Sequence, residues 1–209
     1  LAGLERWRSR SGRRAREWLR GLGEVEALSA LAGLAHDNPE WGFPEIRPEQ
    51  SASIEGTDVG HPLLRGDKRV VNDIEVGPAR TFLLVTGSNM SGKSTLLRAI
   101  GLNVIMAQAG GVVCASRFQM PTVRLFTSMR VRDSIEHGVS YFMAGLVRLR
   151  SIVIAARAHS VDDGAFLYLL DEILQGTNSA ERHVAVCRIV GELISLNTLG
   201  AVTTHDLAL

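Results

Sequence analysis

Eight residues, Gly87-Ser88-Asn89-Met90-Ser91-Gly92-Lys93-Ser94, fit the pattern G-x-x-x-x-G-K-[ST]. They constrain the fold more than any other feature, because of what flanks them. The apolar run Thr81–Thr86 (TFLLVT) reads as a buried strand, and Thr95–Ala109 reads as a helix. Strand, glycine-rich loop and helix in that order form a cradle for phosphate. Glycines let successive backbone N–H groups turn inward toward phosphate oxygens, and the helix N-terminus adds its positive end. Lys93 is placed to reach the β- and γ-phosphates, and the Ser94 hydroxyl to ligate Mg²⁺. Gly87 to Thr95 is therefore the expected nucleotide-binding stretch. Only Lys68 accompanies Lys93 as a second lysine in a chain that otherwise uses arginine.

The rest of the chain supports an α/β domain. Short strands are expected at Val112–Ala115 and Val123–Phe126, a long helix at Ser140–Ala158, and a second buried strand at Phe166–Leu170. A helix at Ala180–Leu196 and a last strand at Ala201–Thr204 follow. Such alternation implies a mainly parallel sheet flanked by helices. Residues 1–37 read helical, with Leu22, Val25, Leu28, Leu31 and Leu34 forming one apolar stripe. Pro39, Gly42, Pro44 and Pro48 then end that helix in a linker. The expected division is a helical segment and linker at 1–48 and a nucleotide-binding domain at 49–209.

Composition excludes several classes. With 45% hydrophobic and 22% charged residues the chain is neither disordered nor collagen-like. Cys114 and Cys187 form no C-x-x-C, which argues against a disulfide framework or zinc site and for a reducing, cytoplasmic setting. The uncharged stretch 99–116 is interrupted by Gly101, Asn103, Gln108, Gly110 and Gly111, so it reads as a buried helix and strand and not as a membrane span. The net charge of +1 conceals seven arginines among the first twenty residues. A solvated helix face and a nucleic-acid contact both fit them. The missing initiator Met and the end at Leu209, directly after a strand, suggest a piece of something longer.

The strand at 166–170 leads into Asp171-Glu172. In a parallel sheet the C-terminal strand ends face the ligand crevice, so both acids are expected beside the phosphate loop. Asp171 would hold Mg²⁺ through water, and Glu172 would orient and deprotonate the attacking water. His205, at the end of the last strand, could donate a hydrogen bond to the γ-phosphate and sense its presence. His36, His61, His137, His159 and His183 receive no such support from their positions.

Four ordered blocks then resemble the ATPase domain of the MutS family, in the ABC class of P-loop NTPases. They are T-G-S-N-M-S-G-K-S-T (86–95), the segment from Asp133 through Gly138 and Ser140 to Met143, L-L-D-E-I-L-Q-G-T-N-S (169–179) and T-T-H-D (203–206). Gly60-His61-Pro62 resembles the family's entry to the domain, and residues 1–48 the helical end of its preceding core. The resemblance implies a Mg-dependent ATPase whose nucleotide state drives closure of a homodimer and is coupled to DNA held by parts outside this chain. It also implies that Ser140 reaches the partner's nucleotide in trans, and that the chain stops before the dimerisation helices. Gln108 and Gln119 both flank the place of the metal-sensing Gln of ABC proteins.

Ser88 and Ser91, and Ile173-Leu174-Gln175, depart from the mismatch-repair pattern, pointing to a divergent branch. Arg69, Val70 and Val71 stand where the family has an adenine-stacking aromatic. Phe43-Pro44-Glu45 spells the F-x-E of mismatch reading, but in the linker, where Pro44 stiffens it. A transporter subunit would need an L-S-G-G-Q stretch, which is missing. Action on recombination intermediates or RNA, and ATP binding without turnover, are the remaining alternatives.

Overall fold

The computed structural model describes residues 2–47, 53–129, 141–160, 163–172 and 179–205. Their core is a four-stranded parallel sheet built from the runs that the sequence makes most apolar. Strands β4 (Thr81–Thr86), β6 (Val123–Ser128), β7 (Ala165–Asp171) and β8 (Leu199–Thr204) lie in the order β4-β8-β7-β6. Strand β7 is buried on both faces, as continuous hydrophobic runs in parallel sheets are. Its Leu167 and Leu169 face one core with Leu97, Ile100 and Val104 of helix α2 (Lys93–Gln108). Phe166, Tyr168 and Leu170 face the other, with Leu149 and Ile152 of helix α3 (Tyr141–Arg157) and Val186, Val190 and Leu193 of helix α4 (Ser179–Ser195). The chain is thus mixed α/β with a helix-flanked parallel sheet, as expected.

A second sheet was not legible in the sequence. Strands β1 (Glu45–Arg47), β2 (Ile54–Val59), β3 (Asn72–Val76) and β5 (Arg117–Pro121) are ordered β1-β5-β2-β3. Strand β2 runs antiparallel to both β3 and β5, while β1 is parallel to β5. Residues 45–47, read from their prolines as linker, therefore add an edge strand. A short edge position tolerates a neighbouring proline that a central one would not.

Three expectations need correction. Strand β4 is an edge among the described strands and is not fully buried, with Leu84 37% exposed. The run Val112–Ala115 forms no ladder beyond one bridge between Gly42 and Val113. It is buried all the same, because the Cys114 N–H donates to Asn103 Oδ1 at 2.7 Å and the Val113 N–H to Gly42 O at 2.9 Å. Helix α1 (Ala2–Asp37) has the expected extent, but its stripe is packed only at the C-terminal end. Leu34 joins Trp41, Val112 and Cys114, whereas Leu22, Val25 and Leu28 are more than half exposed. Among the described residues no helix is long and apolar enough to cross a membrane, and neither cysteine forms a disulfide.

Candidate nucleotide site

The loop between β4 and α2 takes its shape from three residues with positive φ, Gly87 at 155°, Met90 at 66° and Gly92 at 92°. Gly92 precedes the first helical residue without offering a side-chain cap. An L side chain there would be strained, and the uncapped N-terminus of α2 keeps donors available to an anion. The Lys93 side chain is 6% exposed and folds back into the loop, donating to Gly87 O and Ser88 O at 2.8 Å each. A buried ammonium requires such partners. Phosphate oxygens would supply them with charge as well. Met90, by contrast, stands fully exposed.

The sheet brings the acidic pair to this loop across a large sequence separation. Ser94 Oγ donates to Asp171 Oδ1 at 2.8 Å, and the same oxygen accepts from Thr203 Oγ1 at 2.7 Å. Glu172 Oε1 lies 3.8 Å from Lys93 Nζ and 3.7 Å from His205 Nδ1. Lys93, Ser94, Asp171, Glu172 and His205 therefore meet at the C-terminal ends of β4, β7 and β8, as the sequence predicted. A hydroxyl and a carboxylate in contact are hard oxygen donors. They fit Mg²⁺, which takes few protein ligands and completes its shell with phosphate and water. Among the described residues no group of three or more His, Cys, Asp or Glu could form an all-protein cage.

Thr203 is a residue the sequence reading did not assign. While donating to Asp171 it also accepts the Glu172 N–H at 3.0 Å, and its carbonyl accepts the same N–H at 3.3 Å. Glu172 has φ 44°, a left-handed conformation that needs such support. One buried hydroxyl thus fixes both acids. Replacing it with the isosteric valine leaves a carboxylate and an amide short of a partner. Thr203→Val should cost about 1–3 kcal/mol of stability and Thr203→Ser much less, which urea unfolding of the two variants would measure.

Beside the loop lies a cavity of about 400 Å³, lined by Lys93 and Thr95 on one side and by His61, Leu64, Val70 and Asn72 on the other. That volume is in the usual range for small-ligand sites, roughly 300–1,000 Å³. His61 was left without a role by its sequence position, yet it faces this space. Burial, then the nearby Arg98 and Arg69 charges, holds its pKa below the ordinary histidine value. Near neutral pH its ring is uncharged. Its signal was the Gly60-His61-Pro62 turn, whose distance from the loop in sequence hid its proximity in space.

Other expected residues fall elsewhere. Val70 lines the cavity and Arg69 does not. Gln108 accepts the Val123 N–H at 2.8 Å, and Gln119 bonds Arg47 and Glu45, so both glutamines are held in structural contacts. Phe43 is exposed just ahead of β1. Asp133, Gly138, Ser140, the segment Ile173–Asn178 and Asp206 lie outside the described residues.

Residues 83–209 match the family described as MutS domain V. The chain is 31% identical over 192 residues to the DNA mismatch repair protein MutS of Shouchella clausii, covering 89% of this chain and 21% of that protein. It is 32% identical over 197 residues to the DNA mismatch repair protein MutS of an Exiguobacterium species, covering 90% and 22%. To the DNA mismatch repair protein MSH6 of Arabidopsis thaliana it is 31% identical over 205 residues, covering 90% and 15%. The chain thus spans about a fifth of the length of these relatives or less.

Proposed function

The chain belongs to the MutS family through its domain V, and on that footing we propose that it binds MgATP at Gly87–Thr95 and hydrolyses it. The observation that carries this reading is the 2.8 Å contact between Ser94 and Asp171, 77 residues apart. Two oxygen donors from different elements converge there beside a buried lysine. Mg²⁺ held by them would offset the charge of the β- and γ-phosphates.

Each side chain then has a task. Lys93 exchanges its two carbonyl partners for phosphate oxygens. Glu172 accepts a proton from the attacking water, with its backbone pinned by Thr203 and its carboxylate near Lys93 and His205. His205 approaches the γ-phosphate side and distinguishes triphosphate from diphosphate. Leu64 and Val70 enclose the base in the adjoining cavity together with the His61 ring.

We further take the domain to work in a homodimer within a longer, cytoplasmic polypeptide, and to couple ATP state to DNA held by other parts of that polypeptide. Ser140, near the start of α3, is then the cap supplied to the partner's γ-phosphate. The substitutions at Ser88, Ser91 and 173–175 favour a divergent branch of the family. The test is ATP turnover of the polypeptide that carries this chain, without DNA and with homoduplex, mismatched and branched DNA. Turnover that changes with DNA structure is expected. Tight ATP binding with no turnover under any condition would favour a non-hydrolysing module instead.

A further inference from the structure

Arg69 lies between two residues that flank the cavity, yet its own side chain is turned away from it. Lys68 and Val70 both line the space, as does Leu64. The Arg69 guanidinium, only 13% exposed, donates through Nε and a terminal nitrogen to Leu64 O at 3.1 and 2.8 Å. This closes the loop from residue 64 to 69 on itself. The same guanidinium lies 5.2 Å from the Trp41 ring centroid and 3.9 Å from Glu40. Trp41 is 8% exposed and packs with Leu34 and Ala35 at the end of α1.

The surroundings leave this arginine little freedom. A Cβ at Gly60 would lie 2.5 Å from Arg69 Cδ and 3.0 Å from Cys114 Sγ, so only glycine admits the side chain there. The Gly60 carbonyl accepts from Asn103 Nδ2 at 3.0 Å, and Asn103, wholly buried, belongs to the helix that the phosphate loop opens. The loop is therefore fastened at its start to α2 and at its end to the segment following α1. Of its two aliphatic contributors to the cavity, Leu64 sits between these fastenings and Val70 directly follows the second.

We propose that Arg69 is a positioning residue for the base side of the cavity, holding the Leu64–Val70 wall against Trp41 so that nucleoside binding and the end of helix α1 are coupled. A cation over an aromatic face and a doubly bonded carbonyl are individually modest interactions. Together, around a largely buried guanidinium, they fix a geometry that the unbraced connection between β2 and β3 would lose to chain entropy. Phosphate binding, on the other wall, does not depend on them. The proposal rests on the nucleotide reading of the site, and its test separates the two.

Trp7 and Trp18 are exposed and the chain has three tryptophans, so Trp7→Phe with Trp18→Phe leaves Trp41 as the sole indole reporter. MgATP and magnesium tripolyphosphate, which carries no base, are titrated into this protein while its emission and the heat of binding are followed. MgATP is expected to alter Trp41 emission and tripolyphosphate to leave it unchanged. Arg69→Met should weaken MgATP binding about tenfold while tripolyphosphate binds as before. Arg69→Lys keeps the charge but not the paired bonds to Leu64, and should fall between. It also serves if the methionine variant does not fold. Either folded variant binding MgATP as tightly as its parent would overturn the proposal. A parent that binds neither ligand would instead remove the nucleotide reading on which it rests.

Discussion

Glu172→Gln is expected to bind MgATP with nearly unchanged affinity and to hydrolyse it about 10²–10⁴-fold more slowly, the usual cost of losing a general base. In barrier terms this is roughly 3–5 kcal/mol. The substitution keeps the side chain's shape and its place at the end of β7. The Glu172 backbone N–H still donates to Thr203, so the turn should persist. What is lost is the basic oxygen, Oε1, that stands 3.8 Å from Lys93 and 3.7 Å from His205. The variant should consequently accumulate bound ATP, measurable by quenching and separating the nucleotides. Near-parental turnover would show that another group activates the water.

The second large effect is expected at Lys93. Its ammonium is almost wholly buried and lies against two loop carbonyls and Glu172. Alanine removes both the charge and the stem that fills the loop. Charge-assisted hydrogen bonds contribute about 1.5–3 kcal/mol each, so triphosphate affinity should fall by about tenfold to a hundredfold. Turnover should vanish. Calorimetric titration of MgATP into Lys93→Ala and its parent measures the first effect, and unchanged affinity would contradict the assignment of the loop. The two variants differ in kind: one is impaired in holding ATP, the other in cleaving it.

What the sequence disclosed depends on how local the governing physics is. Strands β7 and β8 and helix α2 were legible because a parallel strand buried on both faces leaves an uninterrupted apolar run, and because the loop motif punctuates the helix start. Strands β2 and β3 were not. Their segments, IEGTDV and NDIEV, are short, mix charges with apolar residues and are broken by a register shift between Gly56 and Val59. Val112–Ala115 failed in the opposite direction. Its apolarity reports burial, which Asn103 and Gly42 make possible without a ladder, and burial alone does not specify pairing.

The candidate site divides along the same line. The phosphate side follows from contiguous motifs, and the acids from the rule that parallel strands end at the crevice. Thr203 escaped notice because a threonine in an apolar strand is unexceptional until its hydroxyl is seen to bond Asp171 and Glu172 together. The proposed base side depends on residues 59–72, which the second sheet carries to the loop, and on Arg69 pointing outward where the resemblance places a base-stacking aromatic. Only the family resemblance, at Gly60-His61-Pro62 and at 69–71, pointed to that neighbourhood.

The central claim is that the loop and the acidic strand end form one magnesium-nucleotide site, and Mn²⁺ in place of Mg²⁺ reports on it directly. Water-proton relaxation should show Mn²⁺ bound tightly by the parent only when ATP is present. Asp171→Asn, which keeps the shape but removes the charge facing Ser94, should lower the Mn²⁺ affinity of the ATP complex by about tenfold or more. Ternary-complex Mn²⁺ binding that is identical in Asp171→Asn and its parent would contradict the account, because the metal would then lie somewhere other than between Ser94 and Asp171.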